Sequence, residues 1–227
     1  MAQYYKIDIT EKDKNIIEQI KIDKDYEAFK DYHSPWRSFD GNAYDYIYQS
    51  IKEVSTNNSD DLAKKSSTIL NKILNLAIEK LKEKMNINNF NKIIWLRYRT
   101  ENSEYDEPRW HSDGHYTIND NYNTNQKKFI ISLKGPGTLI LKCDNDMNEE
   151  INKKLRELQR KYRGISLENS RNINNEISEN LKSCEIKQLE NFEGVIYNIA
   201  CITDSCIHSE PKFDKPRLFL GLVLEEI

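Results

Sequence analysis

The spacing of apolar residues changes near residue 90. Before this point apolar residues recur at three- and four-residue intervals, which place them on one face of a helix. The clearest stripe consists of Ile69, Ile73, Leu74, Ala77, Ile78 and Leu81. Acidic residues before this stripe and lysines after it suit the dipole of a helix that ends near Lys84. Residues 1–90 are therefore predicted to form a helical N-terminal flank.

After residue 90 short apolar runs are separated by turn residues such as Gly135-Pro136-Gly137, a spacing typical of strands. Eight strands are predicted, at residues 92–100, 109–116, 127–134, 138–143, 185–190, 195–200, 207–208 and 217–225. Between the fourth and fifth, a charged and Asn-rich segment at 144–183 has helical spacing. The chain is thus predicted to have an α+β fold, with residues 91–227 as a β core that carries a helical insert.

The composition limits the classes of binding partner that we expect for this protein. Only 37% of the residues are hydrophobic, mean hydropathy is −0.81 and the net charge is −3, so a polar surface of mixed charge is expected. This charge gives no general attraction to nucleic acid or anionic membranes, and basic and aromatic residues do not interleave as in single-strand binders. We expect no transmembrane helix and no signal peptide. Abundant Asn, Lys, Ile and Tyr suggest an AT-rich genome, such as that of a giant virus or a protist.

The four cysteines lie at positions 143, 184, 201 and 206, without the spacing of a disulfide scaffold. They are predicted to be reduced thiols in a cytoplasmic compartment. Cys201, Cys206 and His208 together suggest a zinc site, but a fourth ligand at suitable spacing is missing from the sequence, so this alternative is not favoured.

A candidate metal site begins at His111-Ser112-Asp113. In a strand, residues i and i+2 point to the same side, so His111 and Asp113 are expected to project together. With the distant His208 they provide two imidazoles and one carboxylate, the ligand set that holds iron(II) and leaves positions open. His115 falls on the same side if the strand continues, and is an alternative ligand.

Arg217 begins the apolar run at 218–224, nine residues after His208. A guanidinium that enters a buried strand needs a partner. Either it forms an ion pair with Glu210 or Asp113, or it binds a ligand carboxylate through two hydrogen bonds.

At these residues the sequence resembles the superfamily of 2-oxoglutarate-dependent iron(II) dioxygenases, whose motif is His-x-Asp, a distant His and a later Arg or Lys. The resemblance implies a double-stranded β-helix (jelly-roll) core flanked by N-terminal helices. It also implies that the motif lies on the second, seventh and eighth core strands, and His111, His208 and Arg217 fall on the predicted strands of that order. The insert at 144–183 falls where the superfamily commonly carries one.

The resemblance further implies an oxygenase that hydroxylates or demethylates a substrate, with Fe(II) as cofactor and 2-oxoglutarate as co-substrate. His111, Asp113 and His208 would hold the metal, and Arg217 would bind the far carboxylate of 2-oxoglutarate. The family often has Ser or Thr two residues after the basic residue, whereas this chain has Phe219.

A tyrosine is therefore predicted to supply the missing hydroxyl. Tyr98 and Tyr116 are the favoured candidates, and Tyr197 is less favoured. A non-catalytic or cupin-like β-barrel binding protein is the alternative function. The sequence predicts neither the substrate nor the oligomeric state.

Overall fold

The computed structural model describes residues 2–28, 43–101, 108–114, 125–162, 166–199, 205–212 and 214–226. Within these ranges the helices are α1 (Glu11–Glu18), α2 (Tyr44–Val54), α3 (Asp60–Met85), α4 (Asn145–Lys161) and α5 (Leu167–Lys182). The strands are β1 (Gln3–Lys6), β2 (Tyr26–Ala28), β3 (Phe90–Arg99), β4 (His111–Ser112), β5 (Gln126–Lys134), β6 (Leu139–Lys142), β7 (Glu185–Gln188), β8 (Glu193–Asn198), β9 (Ile207–Ser209) and β10 (Arg217–Glu226).

The strands form two antiparallel sheets. One has the order β1-β8-β5-β10-β3-β2 and the other the order β4-β9-β6-β7. The predicted α+β class and its antiparallel strands are therefore confirmed. β1 and β2 lie in the part of the chain that was predicted to be helical, and they pair with β8 and β3. Strands of three or four residues are too short to show a period in the sequence.

The pairing of the eight strands from β3 to β10 follows a simple rule. The first pairs with the last, β4 with β9, β5 with β8, and β6 with β7. The chain thus forms a long antiparallel ribbon that folds back at β6 and β7, and the successive pairs of this ribbon alternate between the two sheets.

α3 shows how the sequence builds the helical layer. The Ser59 side chain accepts a hydrogen bond from the backbone N–H of Leu62, which caps the first turn, and Asn86 ends the helix in the left-handed conformation. The predicted apolar stripe faces inward, and all its members except the partly buried Ile78 are buried. With α1 and α2 this stripe packs on one face of the six-stranded sheet, including the leucines of β10.

The opposite face of the six-stranded sheet packs against the four-stranded sheet. Trp95, Val195 and Phe219 from the first meet Ile140 from the second. We call this space the inter-sheet core. The outer face of the four-stranded sheet is covered by α4 and α5, which contribute Leu155 and Ile177 among others. The order of layers is therefore helices, six strands, four strands, helices.

Cys143 and Cys184 form a disulfide, so the prediction of reduced thiols is wrong for this pair. In the β6–β7 register Lys142 lies opposite Glu185, which places the two cysteines opposite each other as the next pair along. Their Cα atoms are 4.8 Å apart although 41 positions separate them in sequence. Sequence spacing does not show this because the strands meet across a helical insert.

Cys206 is a free and buried thiol, whereas Cys201 lies outside the described residues. The predicted cytoplasmic compartment and the predicted domain boundary at residue 90 stay predictions. Among the described residues, the helices include none with the length and apolar character of a membrane span.

Candidate metal centre

Two histidines from different parts of the chain face each other across a strand pair. His111 on β4 is the direct register partner of His208 on β9, and their ring centroids are 4.3 Å apart. Asp113 follows β4 at the second position after His111, and both it and His208 are buried. One potential ligand atom from each of the three residues lies within 4.8 Å of the others. The structure thus brings together the three residues that the sequence predicted as metal ligands.

The hydrogen bonds of the two rings decide which nitrogen is available. Nδ1 of His111 is 2.7 Å from the carbonyl oxygen of Arg109, and Nδ1 of His208 is 3.1 Å from that of Cys206. A carbonyl oxygen only accepts, so Nδ1 carries a hydrogen in both rings, and the lone pair of the neutral form lies on Nε2. This is the arrangement that orients a metal-binding histidine.

The protonation state of His208 also suits a residue that binds a metal cation. Burial, together with the neighbouring His111, lowers the pKa of His208 to about 3, although the Asp113 carboxylate opposes this. The ring is therefore neutral near neutral pH, as metal binding requires. Two imidazoles and a carboxylate fit a divalent transition metal such as iron(II).

Asp113 is held by two further side chains. Its Oδ2 accepts a hydrogen bond of 2.6 Å from the Tyr197 hydroxyl and one of 2.8 Å from the Lys128 ammonium, and it lies 3.6 Å from Nε2 of His208. Burial raises the pKa of Asp113, but Lys128 and the two histidines lower it by more. The resulting pKa lies far below the usual range of an aspartate. The carboxylate is therefore ionised.

Sequence reasoning missed Lys128. It lies on β5, one position away from Phe129 and two from Ile130, in a run that is buried on both faces. A lysine in such a run is buried only when it has a polar partner. A charged residue inside an apolar strand was therefore the signal in the sequence that could have identified Lys128 as a site residue.

Arg217 lies at the edge of the inter-sheet core and is 1% exposed. Its Nη2 donates hydrogen bonds of 3.2 Å to Ser132 and 2.7 Å to Thr138, and its Cζ lies 4.9 Å from the Phe219 ring centroid. Burial lowers the pKa of Arg217 to about 10, with Glu210 opposing this shift. The guanidinium therefore stays charged near neutral pH. β10 itself has no Ser or Thr, and the hydroxyls that bind the guanidinium come from Ser132 on β5 and from Thr138, directly before β6.

An ion-pair network surrounds Arg217. In the β3–β10 register Arg99 lies opposite Arg217, and Arg97 lies opposite Phe219. Arg97 donates a 2.8 Å hydrogen bond to Glu210, the residue that the sequence offered as an ion-pair partner of Arg217 and whose charge raises the pKa of Arg217.

Glu210 connects this network to the histidines. Burial raises the pKa of Glu210, but His111, Arg97, Arg217 and His208 lower it to about 2. Glu210 therefore interacts electrostatically with both the histidine pair and the arginines. Glu27 lies within 3.6 Å of Arg99 and 3.3 Å of Arg97. Among these five described residues, three arginines and two glutamates leave one net positive charge.

The structure does not bring Tyr98 to this site. Its ring is fully buried on the helical side of the sheet, where its hydroxyl lies 2.8 Å from Ser50 Oγ. Because Arg97 and Arg99 face the inter-sheet core, the residue between them faces the helices. The tyrosine at the cluster is Tyr197, which the sequence ranked lower. Tyr116 and the alternative ligand His115 lie outside the described residues.

No family model and no curated protein matches this chain. Among solved structures, EvdO2 from Micromonospora carbonacea var. aurantiaca is 13% identical, with a TM-score of 0.36. The match covers 64% of this chain and 56% of that one, so the chain spans little more than half of EvdO2. EvdO2 in complex with 2-oxoglutarate matches over the same shares at 13% identity, with a TM-score of 0.37.

The viral collagen prolyl hydroxylase vCPH from Paramecium Bursaria Chlorella virus-1, in a truncated form, is 10% identical. That match covers 99% of this chain and 90% of that one, with a TM-score of 0.38. Likenesses of this strength establish neither a family nor an activity. The function therefore has to be inferred from the site itself.

Proposed function

We propose that this protein is an Fe(II)- and 2-oxoglutarate-dependent oxygenase that hydroxylates or demethylates a substrate. The observation that carries the proposal is the convergence of His111, Asp113 and His208, with both imidazole Nε2 atoms available, in one core with the buried Arg217. A histidine pair alone is compatible with many metalloproteins. Among these, the buried arginine favours an enzyme with an anionic co-substrate.

His111, Asp113 and His208 would hold the metal. Two histidines and one carboxylate leave coordination positions open, so a bound Fe(II) would supply sites for an oxo acid and O₂ and the redox chemistry of oxygenation. The backbone carbonyls of Arg109 and Cys206 keep the two rings oriented for this task.

Arg217 would bind the far carboxylate of 2-oxoglutarate. Ser132 and Thr138 hold its guanidinium in place, so part of the entropic cost of ordering this long side chain is met before the ligand arrives. The single net positive charge of the arginine and glutamate network suits one carboxylate group. The Trp95 and Phe219 rings on the same side of the sheet keep the surroundings apolar, which strengthens charge pairing.

The strand pairing supports a double-stranded β-helix core. A ribbon in which the first strand pairs with the eighth, the second with the seventh, and so on, is wound between two sheets. His111 and His208 lie on the second and seventh strands of this ribbon, and Arg217 begins the eighth. α4 and α5 lie between the fourth and fifth, at the position of the predicted insert.

The test is an anaerobic titration of 2-oxoglutarate into the Fe(II)-loaded protein, followed by charge-transfer absorption or calorimetry, with succinate formation measured after O₂ is admitted. We expect Arg217→Leu to weaken 2-oxoglutarate binding roughly 30-fold or more while metal affinity stays within a few-fold, because one partner of a buried charge pair is removed. Arg217→Lys should retain part of the affinity, because lysine supplies the charge without the planar fork.

Arg160→Leu is a matched control, since it removes the same charge from an exposed position on α4. It should change neither metal nor co-substrate binding. Wild-type protein that holds iron but does not bind 2-oxoglutarate would favour the cupin-like or non-catalytic alternative. Wild-type protein that binds no divalent metal would rule out the oxygenase.

A further inference from the structure

Lys128 places a buried positive charge beside the candidate metal site. The residue is 5% exposed, and its ammonium lies 2.8 Å from Oδ2 of Asp113 and 4.9 Å from the centroid of the Trp95 ring. Gly221 is the cross-strand partner of Trp95, and a side chain there would clash with the indole. The fold therefore makes room for the ring against which this ammonium lies, a favourable cation–π contact.

Lys128 and Tyr197 hold the same oxygen of Asp113 in different ways. The Tyr197 hydroxyl donates a neutral hydrogen bond of 2.6 Å, which orients the carboxylate without changing the charge of the site. The lysine also contributes a full positive charge. The two residues therefore allow orientation and charge to be separated by substitution.

The charge of the site depends on what is bound. Before a metal enters, the negative Asp113 and the positive Lys128 form an ion pair and cancel. A divalent cation alone would leave uncompensated positive charge in a buried space, which is unfavourable. A dianionic oxo acid brings one carboxylate to the cation and the other to Arg217, so it offsets part of this charge. Without Lys128, Asp113 alone would offset half of the charge of the cation.

We propose that Lys128 is an internal counter-ion that shifts the affinities of the two ligands of this site in opposite directions. It weakens binding of a divalent cation and strengthens binding of a dianionic co-substrate to the cation-loaded site. This inference rests on the proposed oxygenase function. Because a fixed charge acts on each ligand separately, the direct attraction between the cation and 2-oxoglutarate does not depend on Lys128.

The test measures two affinities: that of Mn²⁺ for the protein alone, by calorimetry or by the resonance signal of free Mn²⁺, and that of 2-oxoglutarate for the Mn²⁺-loaded protein, by calorimetry. Lys128→Gln should bind Mn²⁺ alone about tenfold more tightly, because a repulsive charge is removed. The Mn²⁺-loaded variant should bind 2-oxoglutarate about tenfold more weakly, because an attractive charge is removed. Lys128→Arg keeps the charge and should keep both affinities within a few-fold of the wild type.

Two control variants separate charge from other effects. Lys127→Gln removes one charge from the neighbouring position of β5, where the side chain contacts Asn198 on β8, and should leave both affinities unchanged. Tyr197→Phe removes the neutral hydrogen bond to Asp113, so it should weaken Mn²⁺ binding but leave the affinity of the Mn²⁺-loaded protein for 2-oxoglutarate within a few-fold of the wild type.

The outcomes distinguish the two proposals. A wild type that binds Mn²⁺ but not 2-oxoglutarate contradicts the proposed function. A wild type that binds both, with the same two affinities in Lys128→Gln, overturns only the role of Lys128. Lys128→Met offers a second uncharged side chain if Lys128→Gln does not fold. If neither folds, by circular dichroism, then Lys128 is a structural counter-charge and its role in ligand affinity is overturned.

Discussion

The two faces of the six-stranded sheet differ in chemistry although they are built from the same strands. On β10, Leu218, Leu220, Leu222 and Leu224 belong to the apolar core against the helices. The alternate positions, Arg217, Phe219, Val223 and Glu225, face the second sheet. Both sets are buried, so the contrast is one of residue type and not of exposure.

This difference separates stability from chemistry. Full burial of a leucine contributes roughly 1.5–3 kcal/mol, so the helical face supplies a large share of the driving force for folding. The inter-sheet face buries polar groups, which is costly unless they are paired. These polar groups are paired: Gln126 donates a hydrogen bond of 3.0 Å to Glu225, and Lys128 donates one of 2.8 Å to Asp113. One strand thus stabilises the fold with alternate residues and builds a site with the others.

The largest expected effect comes from the site face. Asp113→Ala removes the only anionic member of the candidate ligand set and leaves the Lys128 ammonium opposite an empty space. Loss of a residue that holds a metal ligand in place lowers metal affinity roughly 10- to 100-fold, so loss of a ligand itself should lower it more than about 100-fold. Calorimetric titration of Fe(II) or Mn²⁺ checks this. Retention of wild-type affinity would show that the metal binds elsewhere.

The matched change on the other face is Leu220→Ala. Leu220 is 1% exposed in the core against the helices, so truncation should lower the free energy of unfolding by about 2–5 kcal/mol. Metal affinity at a temperature where the variant is folded should stay within about twofold, since alternate residues face apart. Urea unfolding and metal titration measure the two quantities. A large loss of metal affinity would contradict the separation of the faces.

A third change leaves both faces of this sheet intact. Replacing both Cys143 and Cys184 by serine opens a loop that contains α4 and α5, and should lower the free energy of unfolding by about 2–4 kcal/mol. The same loss should follow when a reductant is added to the wild type, and Cys206→Ala serves as a control outside the disulfide. Equal stability with and without reductant would argue against the disulfide in solution.

The smallest expected effect concerns one hydroxyl on the site face. Thr138→Val keeps the shape of the side chain but removes an acceptor of the Arg217 guanidinium, so the free energy of unfolding should fall by about 1.5–3 kcal/mol. 2-Oxoglutarate affinity should fall less than in Arg217→Leu, because the charge remains. An effect as large as that of Arg217→Leu would mean that Thr138 itself contacts the co-substrate.

The sequence predicted the features that depend on the spacing of residues within short stretches of the chain. The stripe in α3 follows from helical periodicity, and the strands of the core follow from short apolar runs between turns. The pair His111 and Asp113 was found because residues two apart in a strand point the same way. The short strands β1 and β2 and the hydroxyl partners of Arg217 were not found, because their partners lie far away in the chain.

By itself, the sequence determined which residue types are available and with which period: two histidines, a carboxylate and an arginine at strand spacing, beside an amphipathic helix. Only the tertiary structure decided which of them meet. Strand register placed His208 opposite His111, Cys143 opposite Cys184 and Tyr197 at Asp113, while it turned Tyr98 to the helices. The physical reason is that a strand fixes the side on which each residue lies, whereas the partner on that side depends on pairing across the whole chain.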